Sequence, residues 1–280
     1  MLLVTGVNGQ LGFDVIKELR KRSIECLGIS RGDLDITDKN AVCEYISKLN
    51  PECVIHCAAY TAVDKAEDER EICYKVNVDG TENIAKACKN IDSKMIYIST
   101  DYVFNGKSDT ILDVDGHKDP LSVYGKTKYQ GELKVQALLS KYFIVRTSWV
   151  FGINGSNFVK TMLKLGKQKE SLNVVCDQIG SPTYTVDLAS LLCDMAISER
   201  YGIYHATNEG FCSWSEFATE IMEKANLDCI INPIPTSEYQ SKAIRPLNSK
   251  LSKKSLGKSS FSLLPKWQDA LERYLIELEG

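Results

Sequence analysis

Residues 1–12 read MLLVTGVNGQLG. An apolar run, LLVT, meets three glycines, Gly6, Gly9 and Gly12, and a helical pattern then runs from about Gln10 to Arg22. Glycine here lets the backbone turn tightly and approach a pyrophosphate closely. The first N–H groups and the dipole of the following helix then hold the phosphate charge. Gln10 and Leu11 lie within the same turn and join the candidate cofactor contacts. A glycine pattern alone carries little weight, and its alternative is an ordinary turn. Its position between the first strand and the first helix gives it meaning.

Outward from this stretch, short apolar runs alternate with amphipathic ones. IECLGIS, CVIHCAA, KMIYIST and YFIVRTSWVFG read as the second to fifth strands. Helices are expected from about Asp38 to Leu49, in segments through Ala87, and from about Ser122 to Leu139. Strands alternating with helices of this size argue for parallel βαβ units with right-handed crossovers. Several strands are apolar without alternation, as expected when both faces of a sheet are covered. The expected class is α/β: a Rossmann-type doubly wound parallel sheet with a smaller C-terminal substrate-binding cap. Residues 1–150 are read as the dinucleotide-binding part. Residues 151–280 are read as mainly cap, with some segments returning to the first part. There LNVVC and GIYHAT look like strands, and TVDLASLLCDMAI, SWSEFATEIMEKA and WQDALERYLIEL have helical periodicity. Pro233, Pro235 and Pro246 lie in a stretch read as irregular.

The 280 residues carry a formal charge of −3 and are 44% hydrophobic, enough for an ample core and no electrostatic footprint for nucleic acid. No run reaches membrane-spanning length, and the opening apolar stretch is too short for a secretory signal, so a cytoplasmic enzyme is the expectation. The ten cysteines form no CxxC pair and are expected to be reduced. Cys53, His56 and Cys57 form the closest thing to a metal site. Adjacent strand residues point to opposite faces, so the expectation is no metal.

NAD-specific sites of this kind place an acid at the end of the second strand, on the ribose hydroxyls. Here the strand ends in Ser30 and Arg31, with no acid before Asp33. Arg31 can pair with a 2′-phosphate, which favours NADPH and leaves NADH open; the alternative is a solvated loop arginine. Ala58, Ala59 and Tyr60 follow the third strand, where small residues let a cofactor lie across the strand ends. For the chemistry, Tyr124 and Lys128 in YGKTK fall one helical turn apart and face the same way. Reduction of a ketone needs an acid that protonates the developing alkoxide. A tyrosine can serve near neutrality if a neighbouring ammonium stabilises its phenolate. A surface helix is the alternative. Thr100, at the carboxyl end of the fourth strand, can hydrogen-bond the carbonyl; Ser99 competes for that role or faces the core.

Taken together, GVNGQLG, AAYTAVDKAE, VNVDGTENIA, STDYVFNG, YGKTKYQGE, RTSWVFG, DQIGSPTYTVDLA and RPLNSKL cover most of the chain. In this combination the sequence resembles the dTDP-4-dehydrorhamnose reductase family of extended short-chain dehydrogenases. The resemblance implies a dTDP-sugar substrate whose 4-keto group is reduced with NADPH or NADH. It places Thr100, Tyr124 and Lys128 in a catalytic triad and Asp35 and Ile36 beside the adenine. Asp101, Tyr102, Phe104, Trp149 and Arg245 fall near the sugar or nucleotide. Sugar 4,6-dehydratases resemble this fold but read Thr-Asp-Glu where this chain has Thr100, Asp101 and Tyr102. Without the second carboxylate, elimination lacks its base, which favours a reductase. The segment VDGHKDP departs from the family's acidic-polar wording. Some relatives dimerise through a magnesium held by glutamates, and that site cannot be placed here residue by residue. Carboxylates such as Glu18 are read as surface charges, and a homodimer stays open. Two rivals stand: a reductase of another nucleotide-linked keto sugar, and a non-catalytic cofactor-binding regulator like the beta subunit of methionine adenosyltransferase. The intact triad argues against the second.

Overall fold

The structure, a computed structural model, describes residues 1–279. The run LLVT forms β1 (Leu2–Thr5), buried at every residue. It is followed by α1 (Gln10–Lys21), β2 (Cys26–Ile29), α2 (Lys39–Leu49) and β3 (Cys53–His56). Asp38 caps α2 by accepting from the N–H groups of Asn40 and Ala41, and Asn50 ends it in a left-handed conformation at φ 48°. Then come α3 (Thr81–Asn90), β4 (Lys94–Thr100), α4 (Val123–Leu138) and β5 (Tyr142–Thr147). After α5 (Phe158–Gly166) and α6 (Thr185–Ala196), β6 (Gly202–His205) completes a six-stranded parallel sheet, in the order β2-β1-β3-β4-β5-β6. α7 (Trp214–Lys224) and α8 (Trp267–Glu279) close the chain.

Both faces of the sheet are covered, which is why its strands are apolar on both sides. On one face Leu2 and Val4 pack with Val15 and Leu19 of α1 and with Leu188 and Leu192 of α6. On the other, Leu3 packs with Val42 and Ile46 of α2, Ile84 and Cys88 of α3, and Val135 of α4. The chain leaves β1 in one direction to reach β2 and returns past β1 to reach β3. That reversal opens a crevice at the carboxyl ends of β1 and β3, where doubly wound sheets take their ligands.

Beyond Phe151 the chain does two things. β6 and α6 join the central sheet and its helical layer, whereas Phe151, Met162, Leu172, Tyr184, Phe217, Trp267 and Tyr274 build a separate aromatic-rich cluster. Two local expectations are corrected. The run YFIVRTSWVFG is not one strand. It breaks at Ser148 and Trp149, and Val150–Phe151 leaves the sheet to pair with Thr183–Tyr184. Trp149 makes that break in a left-handed conformation, φ 50°, which is unusual for a bulky residue. Pro233 lies within a strand, Ile230–Ile234, paired with Ser171–Val175. In a sheet of only two strands both members are edges, where proline's missing donor is tolerated. The helical segments expected after β3 are present as Val63–Ala66, Arg70–Tyr74 and a π-helical segment, Lys75–Gly80, ahead of α3. Among the described residues no helix is long and apolar enough to cross a membrane.

Candidate active site

The crevice is lined first by backbone. Gly6 sits at φ 73°, and a Cβ there would lie 2.6 Å from the amide nitrogen of Ala58. A Cβ at Gly12 would overlap the carbonyl oxygen of Gly6. Any side chain at these positions would force neighbouring backbone apart, so glycine lets this turn pack tightly against Ala58 at the start of α1. Ala58 and Ala59 are half-buried on the opposite wall, with the Ala58 amide donating to Thr5 Oγ1 at 3.1 Å. Leu11 is buried in the core, and the Gln10 side chain accepts from the Gly152 amide and from Asn157, each at 2.9 Å. Both therefore offer the crevice only their backbone.

The rim holds the specificity candidates. Arg31 is exposed just past β2, beside a turn in which the Ser30 amide and hydroxyl donate to Asp33 at 2.8 and 2.7 Å. Asp35 is exposed and accepts from the amide and hydroxyl of Thr37, which hold its carboxyl below the usual range. Ile36 is buried, and its carbonyl accepts from Asn83 at 3.0 Å. The Tyr60 hydroxyl donates to Glu69 at 2.6 Å, while its backbone is clamped by Asn77, which accepts from Tyr60 N at 2.8 Å and donates to Tyr60 O at 3.1 Å. Asn77 also donates to Thr127 Oγ1 at 3.1 Å, and so ties this wall to α4. Sequence reasoning had not singled out Asn77, because local spacing does not reveal that a polar residue in a helical run is buried.

The reacting groups gather at the end of β4. Ser122 caps α4 by accepting from Gly125 N at 3.1 Å, which places Tyr124 in the first turn and Lys128 in the second. Thr100 is buried; its hydroxyl donates to Asp101 Oδ1 at 2.9 Å and accepts from Tyr102 N at 3.2 Å. Burial raises the Tyr124 phenol above its ordinary value, with the Thr100 hydroxyl opposing the shift as a hydrogen-bond partner. Lys128 is also buried, and its Nζ lies 4.1 Å from the centre of the Tyr97 ring. Burial pushes that amine down to about 7, against the pull of the Glu132 carboxylate. A phenol that holds its proton, next to an amine poised near neutrality, suits an acid that gives up a proton when charge develops beside it. His56 belongs to the packing. Its Nδ1 lies 2.8 Å from the Thr5 hydroxyl and its Nε2 3.4 Å from that of Thr81, and burial pushes it down to about 3.

The expected substrate contacts divide. Tyr102 meets Tyr124 edge-on, with ring centroids 5.5 Å apart. Asp101 is buried behind it, accepting from Ser249 at 2.6 Å, and burial lifts its carboxyl to about 6. Trp149 stacks on Trp214 with centroids 3.7 Å apart. Arg245 is paired, its Nη2 donating to Asp64 Oδ2 at 2.7 Å. Phe104 departs from the expectation of a ligand contact. It is 2% exposed, packs edge-on to His205 and backs the wall from inside. Ser99 faces the core side of β4 and donates to Glu132 at 2.5 Å.

This arrangement has close counterparts. The profile of the RmlD substrate binding domain matches residues 1–279. The chain belongs to the RmlD substrate binding domain family. Within it, the chain is similar to the spore coat polysaccharide biosynthesis protein SpsK of Bacillus subtilis, at 41% identity over 99% of this chain and 97% of the relative. It is similar to the dTDP-4-dehydrorhamnose reductase of Aggregatibacter actinomycetemcomitans, at 42% identity over 97% of each. A crystal structure of dTDP-4-dehydrorhamnose reductase from Bacillus anthracis in complex with NADP superposes with a TM-score of 0.96, at 43% identity, covering 99% of this chain and 98% of that one. The RmlD family thus accounts for the parallel sheet and the glycine turn together. The turn is compatible with a dinucleotide: the absence of side chains at Gly6 and Gly12 lets backbone pack against backbone at the start of α1, the setting in which the N–H groups of a helix N-terminus take a pyrophosphate.

Proposed function

We propose that this protein reduces the 4-keto group of dTDP-4-dehydrorhamnose to the hydroxyl of dTDP-rhamnose, with NADPH as reductant. The observation that carries the reading is the convergence of Thr100, Tyr124 and Lys128 at the end of β4. They stand beside the Gly6–Ala58 crevice, in a chain whose relatives include named dTDP-4-dehydrorhamnose reductases. Gly6, Gly9, Gly12, Ala58, Ala59 and Tyr60 would hold the cofactor, with Arg31, Asp35 and Ile36 toward its adenosine end. When bound, NADPH supplies the hydride.

The chain's own groups do the rest. The Thr100 hydroxyl orients the carbonyl oxygen. As hydride reaches the carbonyl carbon, the C=O π pair moves onto that oxygen, and Tyr124 passes its phenolic proton to it. The resulting phenolate is stabilised by the Lys128 ammonium, one turn along α4. Proton donation of this kind contributes about 10²–10⁴-fold. Tyr102 stands where a dehydratase would carry a carboxylate, so no base is provided for elimination and the ketone is simply reduced. Trp149 and Arg245 would bound the sugar-nucleotide side of the cleft, Arg245 from within residues 151–280, which we read as mainly substrate-binding. The likeness to SpsK supports a second reading, reduction of another nucleotide-linked keto sugar in polysaccharide assembly. The test is NADPH oxidation with dTDP-4-dehydrorhamnose and product analysis by NMR. One hydroxyl formed at C4 per NADPH consumed supports the reading. Absence of turnover with this substrate, alongside turnover of another keto sugar nucleotide, favours the second.

A further inference from the structure

Tyr124, Lys128 and Glu132 occupy successive turns on one face of α4. Glu132 is wholly buried, as is Arg146 on β5, and the two form a two-pronged ion pair. Arg146 Nε donates to Glu132 Oε1 at 2.8 Å and Nη2 to Oε2 at 2.7 Å. Ser99 adds a hydrogen bond to Oε1 at 2.5 Å. Arg146 is itself tied down, donating to the Val114 carbonyl at 2.9 Å and lying 3.3 Å from His205 Nε2. Ser99, Arg146 and His205 pair in register on β4, β5 and β6. A rigid polar row therefore crosses the sheet and pins the carboxylate one turn beyond Lys128.

A buried ion pair is a poor source of stability, because desolvating two charges offsets most of their attraction. Its position suggests another use. Lys128 is faced by His56 and Cys57 from the end of β3, Cys73 from helix Arg70–Tyr74 and Tyr97 from β4, with Tyr124 one turn back on its own helix. Burial keeps every one of these uncharged. It pushes His56 down to about 3 and Cys57 up to about 12, and raises Cys73, Tyr97 and Tyr124. Against this neutral surround, the Glu132 carboxylate is the leading influence favouring the ammonium form of Lys128, with Arg146 lying behind it.

We propose, building on the reductase reading, that Glu132, fixed by Arg146 and Ser99, is a positioning residue whose carboxylate keeps Lys128 charged beside Tyr124. The test is the pH dependence of kcat for Glu132→Gln, together with a direct titration of Lys128 by NMR of lysine-labelled protein, its signal assigned with Lys128→Arg. Side chains one helical turn apart lie about 5–6 Å from each other at Cβ, and an opposite charge at about 4–6 Å moves a titration by about one pH unit or more. The alkaline limb of kcat and the NMR midpoint should both fall by about that amount in Glu132→Gln. Because the single variant leaves Arg146 buried and alone, the double variant Glu132→Gln/Arg146→Met removes both charges and keeps the volume filled; a downward shift smaller than that of the single variant is expected, since the opposing charge of Arg146 is lost with the carboxylate. A merely structural pair would lower kcat or stability at all pH values with the midpoint unmoved, and that result overturns the proposal. The NMR titration decides the coupling even if the protein fails to reduce the sugar nucleotide, so the two readings fail separately.

Discussion

Adding one methyl group at Gly125 tests whether α4 must sit as close to β4 as the structure shows. A Cβ there would overlap the carbonyl oxygen of Tyr102 and lie 3.1 Å from its carbonyl carbon, with Pro120 Cβ 3.2 Å away on another side. Two of these atoms are backbone, which cannot swing aside, so Gly125→Ala must push the first turn of α4 away from the Asp101–Val103 turn. Overpacking of this sort costs about 1–3 kcal/mol. The helix preference of alanine over glycine returns roughly 1 kcal/mol. Net stability should therefore change by no more than about 2 kcal/mol. Catalysis should respond more sharply, because the displaced turn carries Tyr124, while the next residue after the carboxyl end of β4 begins the turn that carries Tyr102. A misplacement on the order of 1 Å is worth about 10²-fold in rate. The assay pairs thermal unfolding with kcat, using 4-deuterated NADPH to establish that hydride transfer limits turnover, and a fluorescence titration of NADPH. A kcat down by one to two orders of magnitude, with NADPH affinity within about threefold of wild type, is expected from the geometry. An isotope-sensitive kcat equal to that of the wild type would refute the claim that this contact sets the register of the catalytic helix.

Two further outcomes follow from the crevice and the wall behind it. Arg31→Ala should weaken NADPH binding and leave NADH nearly unaffected, as measured by titration with each; equal losses would remove Arg31 from the 2′-phosphate. Asp101, lifted to about 6 by burial, binds its proton more tightly folded than unfolded. Its contribution to stability is therefore fully present below about pH 4 and is lost as pH rises through about 6. Urea unfolding of Asp101→Asn and wild type between pH 4 and 7 should show the wild type losing stability relative to the variant, by roughly 2–3 kcal/mol; a difference independent of pH would contradict this.

The parts of the fold that repeat local rules were legible in the sequence. The glycine turn, the apolar strands and the four-residue spacing of Tyr124 and Lys128 all act through backbone geometry over a few residues. What escaped depends on partners far along the chain. Little in TSWVF marks the left-handed turn at Trp149, because all its residues except Ser148 favour strands; the indole stack on Trp214 belongs to an element more than sixty residues away. Phe104 reads as an aromatic near the reacting strand, but the packing of Gly116 and His205 encloses it. On α4 the buried face carries Thr127, Lys128 and Glu132, so an apolar-stripe reading points to the wrong side of the helix. Ser99 had two open roles, and the Glu132–Arg146 pair across α4 and β5 resolves where its hydroxyl goes.

Tyr124→Phe tests the central claim most directly, since it removes the proton donor and keeps a ring of nearly the same shape. In a stopped-flow single turnover with dTDP-4-dehydrorhamnose, hydride transfer should slow by about 10²–10⁴-fold while NADPH binds as in the wild type. A near-native transfer rate would mean that the proton comes from elsewhere and that Thr100, Tyr124 and Lys128 are not the reducing centre.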